Sequence, residues 1–162
     1  MSSAEAKVLD PCCGSRMFWF DRNHPAAIFG DIRTESKVLC DGRTLEVSPD
    51  VPLDFRNLPF GDGAFKLVVF DPPHLLRAGS DSWMRAKYGA LNQGSWQADI
   101  RRGFAECFRV LATDGVLVFK WNETQVLVRE ILALTDQKPL FGHPSGKKGG
   151  THWICFMKDK TP

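Results

Sequence analysis

The chain reads as an α/β domain built on a mostly parallel sheet, and three observations predict it. The run Leu67-Val68-Val69-Phe70 is apolar without interruption, as in a strand buried on both faces. Asp71-Pro72-Pro73-His74 follows directly, and neither proline has an N–H for the ladder, so the chain must leave the sheet there. Strand-like runs and helix-like periodicity then alternate along the sequence, the pattern of an open α/β sheet. Acids stand at or near the expected strand ends, at Asp10, Asp31, Asp54 and Asp71. Ligands bind at the carboxyl edge of such sheets, so the four acids read as one site.

The elements follow in order. The first strand covers roughly 7–10 and ends in a turn at Gly14, whose missing Cβ lets the backbone pass close to a ligand. A short helix is expected next, with terminal N–H groups free for a carboxylate. The second strand spans roughly 26–30, ending at Asp31. Two runs within 38–47 flank Asp41-Gly42, a strong hairpin signal. The strand before the prolines covers 66–70, and a polar, aromatic loop covers 75–95. Ser95 or a neighbour opens a helix whose apolar face is Ile100, Phe104, Cys107, Phe108 and Leu111, at helical spacing. Thr113-Asp114-Gly115 breaks it before a buried strand at 115–121, closed by Asn122 and Glu123. A helix over 126–134 and two strands, 138–142 and 152–157, joined by the loop 143–150, complete the chain.

Composition sets limits. The 162 residues make one domain, 1–162, with 43% hydrophobic and 25% charged residues, as in an ordinary soluble protein. No apolar run is long enough to span a membrane, and the first residues show no export signal, so the expected location is the cytoplasm. The five cysteines include no CxxC pair, which signals neither a disulfide framework nor a metal site. Cys12 and Cys13 read as packing residues. The net charge of +2 does not announce a nucleic-acid binder, but its distribution is uneven. Arg77, Arg85, Lys87, Arg101 and Arg102 follow the double proline, and Lys147 and Lys148 sit in a Gly-rich loop. These cations are either a phosphate-attracting rim or solvated faces. Trp83, Tyr88 and Trp96 lie among them, either to stack an extruded base or to form a satellite core.

Two motifs carry a resemblance. Asp71-Pro72-Pro73-His74 resembles the Asp-Pro-Pro-aromatic motif of the amino-group methyltransferases, a Rossmann-like branch that uses S-adenosylmethionine (SAM) and favours adenine as target. Lys7-Val8-Leu9-Asp10-Pro11-Cys12-Cys13-Gly14-Ser15 resembles the first SAM-binding motif of the same branch. The resemblance implies a doubly wound sheet with an antiparallel last strand, cut to a minimal methyltransferase core. It implies that SAM is held by Asp10, Pro11, Cys12, Gly14, Asp31, Asp54, Phe55 and Asp71, and is converted to S-adenosylhomocysteine. Asp71 and the Pro72 carbonyl would accept from the target amine, with Pro73 fixing the loop and His74 stacking on the base. Arg16, Arg77, Trp83, Tyr88, Trp96, Lys147 and Lys148 are the candidate substrate contacts.

The sequence also departs from that pattern. His74 stands where the branch has a larger aromatic ring, and Arg16 where it has a glycine. Arginine tolerates a positive φ poorly, so either the loop differs in shape or Arg16 turns inward to a carboxylate. The Asp41-Gly42 hairpin stands where a helix usually follows the second strand. The expected substrate is a base in DNA or RNA, read alone, as a homodimer or with a partner subunit. Two alternatives stay open: a protein amide or small-molecule acceptor, and a non-catalytic SAM-binding subunit of a larger complex.

Overall fold

The computed structural model describes residues 6–159. In chain order the elements are β1 (Val8–Asp10), β2 (Ala27–Asp31), β3 (Glu35–Val38), β4 (Thr44–Val47), β5 (Val51–Pro52) and β6 (Phe65–Phe70). They continue with α1 (Trp83–Tyr88), α2 (Trp96–Val110), β7 (Leu111–Asn122), α3 (Val128–Leu132), β8 (Phe141–Ser145) and β9 (Thr151–Met157). Seven strands form one sheet in the order β5-β2-β1-β6-β7-β9-β8, and β3 pairs with β4 in a separate ribbon. β1 pairs in parallel with β2 on one side and β6 on the other, so the winding reverses between β1 and β6. A crevice opens at such a reversal, beyond the strands' carboxyl ends. Asp10 ends β1 and Asp71 follows β6, which places both acids there. β9 runs antiparallel between β7 and β8, as the resemblance implied.

The core lies mainly on one face of the sheet. Strand pleating directs Leu117, Phe119 and Trp121 of β7 to that face, where Ile100, Phe104, Cys107 and Phe108 of α2 meet them together with Ile131 of α3. The Phe104 ring centres 4.9 Å from Phe119 and 5.6 Å from Phe70. Each such ring, fully withdrawn from water, contributes about 1.5–3 kcal/mol. Gly103 permits the contact between α2 and β6: a Cβ there would stand 2.6 Å from Phe70 and 2.7 Å from Phe55.

The opposite face carries a smaller cluster of Cys13, Ala27 and Phe29, covered by Trp19. The short helix expected after the first strand is absent; residues 11–26 are successive turns. Gly14 and Arg16 both adopt left-handed backbone, at φ 50° and 56°, which no helix accommodates. Asp21 then accepts from the Asn23 N–H at 2.9 Å, a local turn bond that competes with helix. Trp19 pins the segment by standing edge-on to Phe29, ring centres 4.7 Å apart.

Other boundaries shift for local reasons. The hairpin forms with Val38 opposite Thr44, but its connection is five residues, with Gly42 at φ 80°. The loop expected over 75–95 contains α1, capped where the Arg85 N–H donates to the Ser82 hydroxyl at 3.5 Å. Thr113-Asp114-Gly115 does not separate helix from strand: α2 passes straight into β7, and the three residues form an irregularity where Asp114 has φ 62°. The last helix begins at Val128 rather than Val126, because the Val126 carbonyl accepts from the Trp121 indole at 2.9 Å. β8 includes His143 and Pro144, which the sequence placed in a loop; an edge strand tolerates the proline.

Candidate active site

Beyond the carboxyl ends of β1, β2 and β6 lies a cavity of about 550 Å³. Pro11, Cys12, Asp31, Asp54, Phe55 and Asp71 line it, six of the eight residues expected to hold a cofactor. Its walls are chemically mixed. Leu53, Phe55, Leu91 and Ile32 supply apolar lining, whereas Asp31, Asp54 and Asp71 add acids to it. Phe55 stands edge-on to Phe70 at 5.4 Å, so its part of the lining is backed by the core.

Asp10 and Gly14 stand outside that lining. Asp10 is fully buried one layer beneath, accepting from the Trp19 indole at 2.8 Å and from the Cys12 N–H at 3.3 Å. Burial pushes its carboxyl up to about 7, with the charges of Asp71 and Asp31 adding to the rise and the Trp19 bond opposing it. The Gly14 N–H donates to Asp31 at 2.9 Å, which ties the first turn to the end of β2. Asp31 also accepts from the backbone and side chain of Arg33, at 2.9 and 3.2 Å. Arg33 reaches on to the Ala86 carbonyl of α1 at 2.9 Å, so this unforeseen residue clips the lining of the cavity to the helix above it. Asp54 pairs with Arg56 at 2.6 Å, and that pair holds its carboxyl below the usual range.

At the centre, the Lys120 ammonium donates to Asp71 at 2.7 Å. Burial raises the Asp71 carboxyl while Lys120 lowers it. The ammonium also lies 5.3 Å from the Phe18 ring and 5.6 Å from Trp153, an aromatic seat for a cation. Lys120 belongs to no motif; its signal in the sequence is its place at the carboxyl end of a strand, the edge that lines such a pocket. Pro72 is buried, and among the described residues its carbonyl accepts no hydrogen bond. His74 is 7% exposed, tilted against Tyr88 with ring centres 5.1 Å apart and edge-on to Trp121 at 6.3 Å. Burial, assisted by Lys120, depresses it to about 4, so it is neutral at pH 7. His74 nevertheless lines a small pocket together with Asp71, Pro72 and Tyr88, and Tyr88 also faces the larger cavity.

The remaining expected contacts divide. Arg16 keeps a positive φ and does pair with a carboxylate, but with Asp50 outside the 550 Å³ cavity; its guanidinium also bonds the Ser48 carbonyl and lies 4.0 Å over the Phe29 ring. It is thus an anchor for the turn segment. Trp83 is exposed and lines a second, outer cavity with Arg16. Trp96 packs against the core instead, and Arg77, Lys147 and Lys148, all exposed, line neither cavity. Burial pushes the Cys12 and Cys13 thiols up, Cys13 to about 12, so neither is a thiolate nucleophile.

No protein-family profile and no curated protein sequence matches the chain. Solved structures do. The PH0226 protein of Pyrococcus horikoshii OT3 superposes with a TM-score of 0.59 at 14% identity, over 98% of this chain and 84% of that one. A SAM-dependent methyltransferase from Methanosarcina mazei superposes at 0.56 and 12% identity, over 98% of this chain and 94% of its own. The fold is that of the SAM-dependent methyltransferases. A further relative in fold is the 1,6-didemethyltoxoflavin-N1-methyltransferase of Burkholderia thailandensis, solved with that molecule and S-adenosylhomocysteine. It superposes at 0.54 with 13% identity, over 96% of this chain and 72% of that one. In the methyltransferase fold the crevice at the sheet's reversal is the ligand site, which is where the 550 Å³ cavity lies here.

Proposed function

We infer that the chain transfers a methyl group from SAM to an exocyclic amino group, most simply of a base such as adenine in DNA or RNA. The observation that carries this reading is the convergence of Asp31, Asp54 and Asp71 on one cavity of about 550 Å³, next to a smaller pocket lined by Asp71 and Pro72, whose carbonyl accepts no hydrogen bond among the described residues. The residues present suit the cofactor: carboxylates for hydroxyl and amino groups, apolar lining for a heteroaromatic ring, and buried Asp10 beneath the first turn. The N1-methyltransferase solved with S-adenosylhomocysteine supports the cofactor through the shared fold. Bound SAM supplies an electrophilic methyl on a sulfonium, a leaving group that needs no acid.

The chain's own work is positioning. An exocyclic amine is a poor nucleophile because its lone pair is delocalised into the ring. Asp71 and the Pro72 carbonyl accept its two hydrogens, which favours a tetrahedral nitrogen with its lone pair directed at the methyl carbon. The new N–C bond forms as the S–C bond breaks, its electron pair staying on sulfur, and the nitrogen then sheds one proton to Asp71 or solvent. Holding the reactants in line is worth about 7–11 kcal/mol in favourable cases. The test follows labelled methyl from SAM into DNA, RNA and protein in parallel, with Asp71→Ala as control. Label in one nucleic-acid pool, reduced at least about a hundredfold in the variant, is the expected result. Wild-type transfer by Asp71→Ala would remove Asp71 from the chemistry.

A further inference from the structure

A second cavity, of about 1070 Å³, lies outside the cofactor crevice and is the larger of the two. A small pocket of about 30 Å³, lined in part by Asp71, Pro72 and His74, borders both. That pocket shares Cys12, Arg33, Asp71 and Tyr88 with the inner cavity, and Gly14, Ser15, Met17 and Lys87 with the outer one. The outer groove therefore adjoins, through those shared residues, the small pocket that reaches Asp71. The β3–β4 hairpin divides the two spaces: Glu35 and Lys37 of β3 face the inner cavity, and its connection with Thr44, Leu45 and Glu46 faces the outer groove. The far wall is α1, through Trp83 and Lys87.

The chemistry of the walls indicates the occupant. Trp83 is 51% exposed, and the Lys87 ammonium lies 5.7 Å from its ring and 5.1 Å from that of Tyr88. An exposed indole beside a cation is a stacking platform for a base next to a phosphate. Two of the groove's cations are occupied, Arg16 with Asp50 at 2.9 Å and Arg43 with Asp41 at 2.6 Å. Arg22 and Lys87 make no ion pair among the described residues, and Glu46 is the one acid of the lining without a cation partner there. The Asp71 side chain is only 18% exposed at the floor, so a base paired within a duplex cannot bring its amine to it without leaving the stack.

We propose that this groove receives the acceptor as an unpaired nucleotide of a single-stranded nucleic acid, with Trp83 stacking a base and Arg22 and Lys87 meeting phosphates. This rests on the methyl-transfer reading above and adds where the acceptor lies and in what form. The experiment measures binding of labelled 12-nucleotide DNA and RNA strands, their duplexes and AMP to the full chain with S-adenosylhomocysteine present, alongside methyl transfer. A single strand of one type should bind about tenfold or more tighter than its duplex or AMP. Trp83→Ala should weaken that binding about tenfold, with Trp83→Phe restoring most of it. Arg22→Gln should lower the salt slope by about one, and calorimetry should show S-adenosylhomocysteine binding both groove variants as it binds wild type. Wild-type strand binding and transfer by Trp83→Ala and Arg22→Gln would overturn the groove assignment while leaving the methyl-transfer reading intact. Equal use of duplex, or of AMP alone, would overturn the unpaired-strand occupant. No transfer to any nucleic acid by a protein that binds the cofactor product would overturn the earlier reading itself.

Discussion

Asp71 and Lys120 form one functional unit at the residue scale. A carboxylate sunk at the floor of the site is driven towards its neutral form by burial, and the ammonium 2.7 Å away is what opposes this. Lys120→Met should therefore raise the Asp71 carboxyl, and the acid limb of the pH–rate profile should move to higher pH, costing about tenfold at fixed pH for each unit moved. Lys120→Arg keeps the charge and should return the limb towards its original place. A Lys120→Met enzyme with an unmoved profile would show that the ammonium has no bearing on Asp71. The motif in the sequence disclosed Asp71 and could not disclose Lys120, because the contact spans 49 residues and depends on β6 and β7 lying side by side. His74 shows the converse. Its position was legible, but its exposure was decided by Tyr88, on a helix that the sequence concealed within a polar stretch.

The element that ties the core to the site is α2. Gly103 lies on its buried face where Phe70, the last residue of β6, and Phe55, in the wall of the 550 Å³ cavity, both press against the helix. Gly→Ala within a helix ordinarily stabilises by about 1 kcal/mol. Here the added methyl would stand 2.6 Å from one ring and 2.7 Å from the other, so overpacking wins. Gly103→Ala should destabilise by about 1–3 kcal/mol in urea unfolding and, by displacing Phe55, weaken S-adenosylhomocysteine binding in calorimetry. An exposed control such as Ala105→Gly should lose only helix propensity and leave that binding unchanged. Unimpaired stability in Gly103→Ala would mean the rings have room to move. The apolar face of α2 was legible through its helical period and β6 through an uninterrupted apolar run, whereas the antiparallel last strand came from the resemblance. The turns at 11–26 were not, because φ at Gly14 and Arg16 is set by the guanidinium's bonds to residues 32 and 34 positions further on. The two-residue β5 was equally hidden, being a strand only through its pairing with β2.

For the whole molecule, buried ionisable groups at the site should leave a signature in stability against pH. Asp10, at about 7 when folded against an ordinary 3.8, holds its proton longer in the native state than in the unfolded chain. Between those values the native state binds more protons, so this group makes stability fall as pH rises. Asp71, raised by burial, acts in the same sense. His74, at about 4 against 6.5, is the reverse: the unfolded chain takes the proton first, so stability is lost as pH falls from 6.5 towards 4. From pH 5 to 6 the Asp10 and His74 contributions oppose each other, each up to about 1.4 kcal/mol per unit. Carboxyls held low by ion pairs, such as Asp54 and Glu106, matter only below this window. Removing either group should uncover the other. Relative to wild type, the stability of Asp10→Asn should climb more steeply with pH, and that of His74→Asn should climb less or fall. Urea titrations at pH 5, 5.5 and 6 measure both slopes, and lines parallel to wild type would show that neither group is displaced by folding. If the proposed function holds, a cofactor cation bound beyond the first turn would favour the ionised form of Asp10. Cofactor affinity should thus fall as pH drops below 7, with a proton released on binding that calorimetry in buffers of different ionisation enthalpy would register.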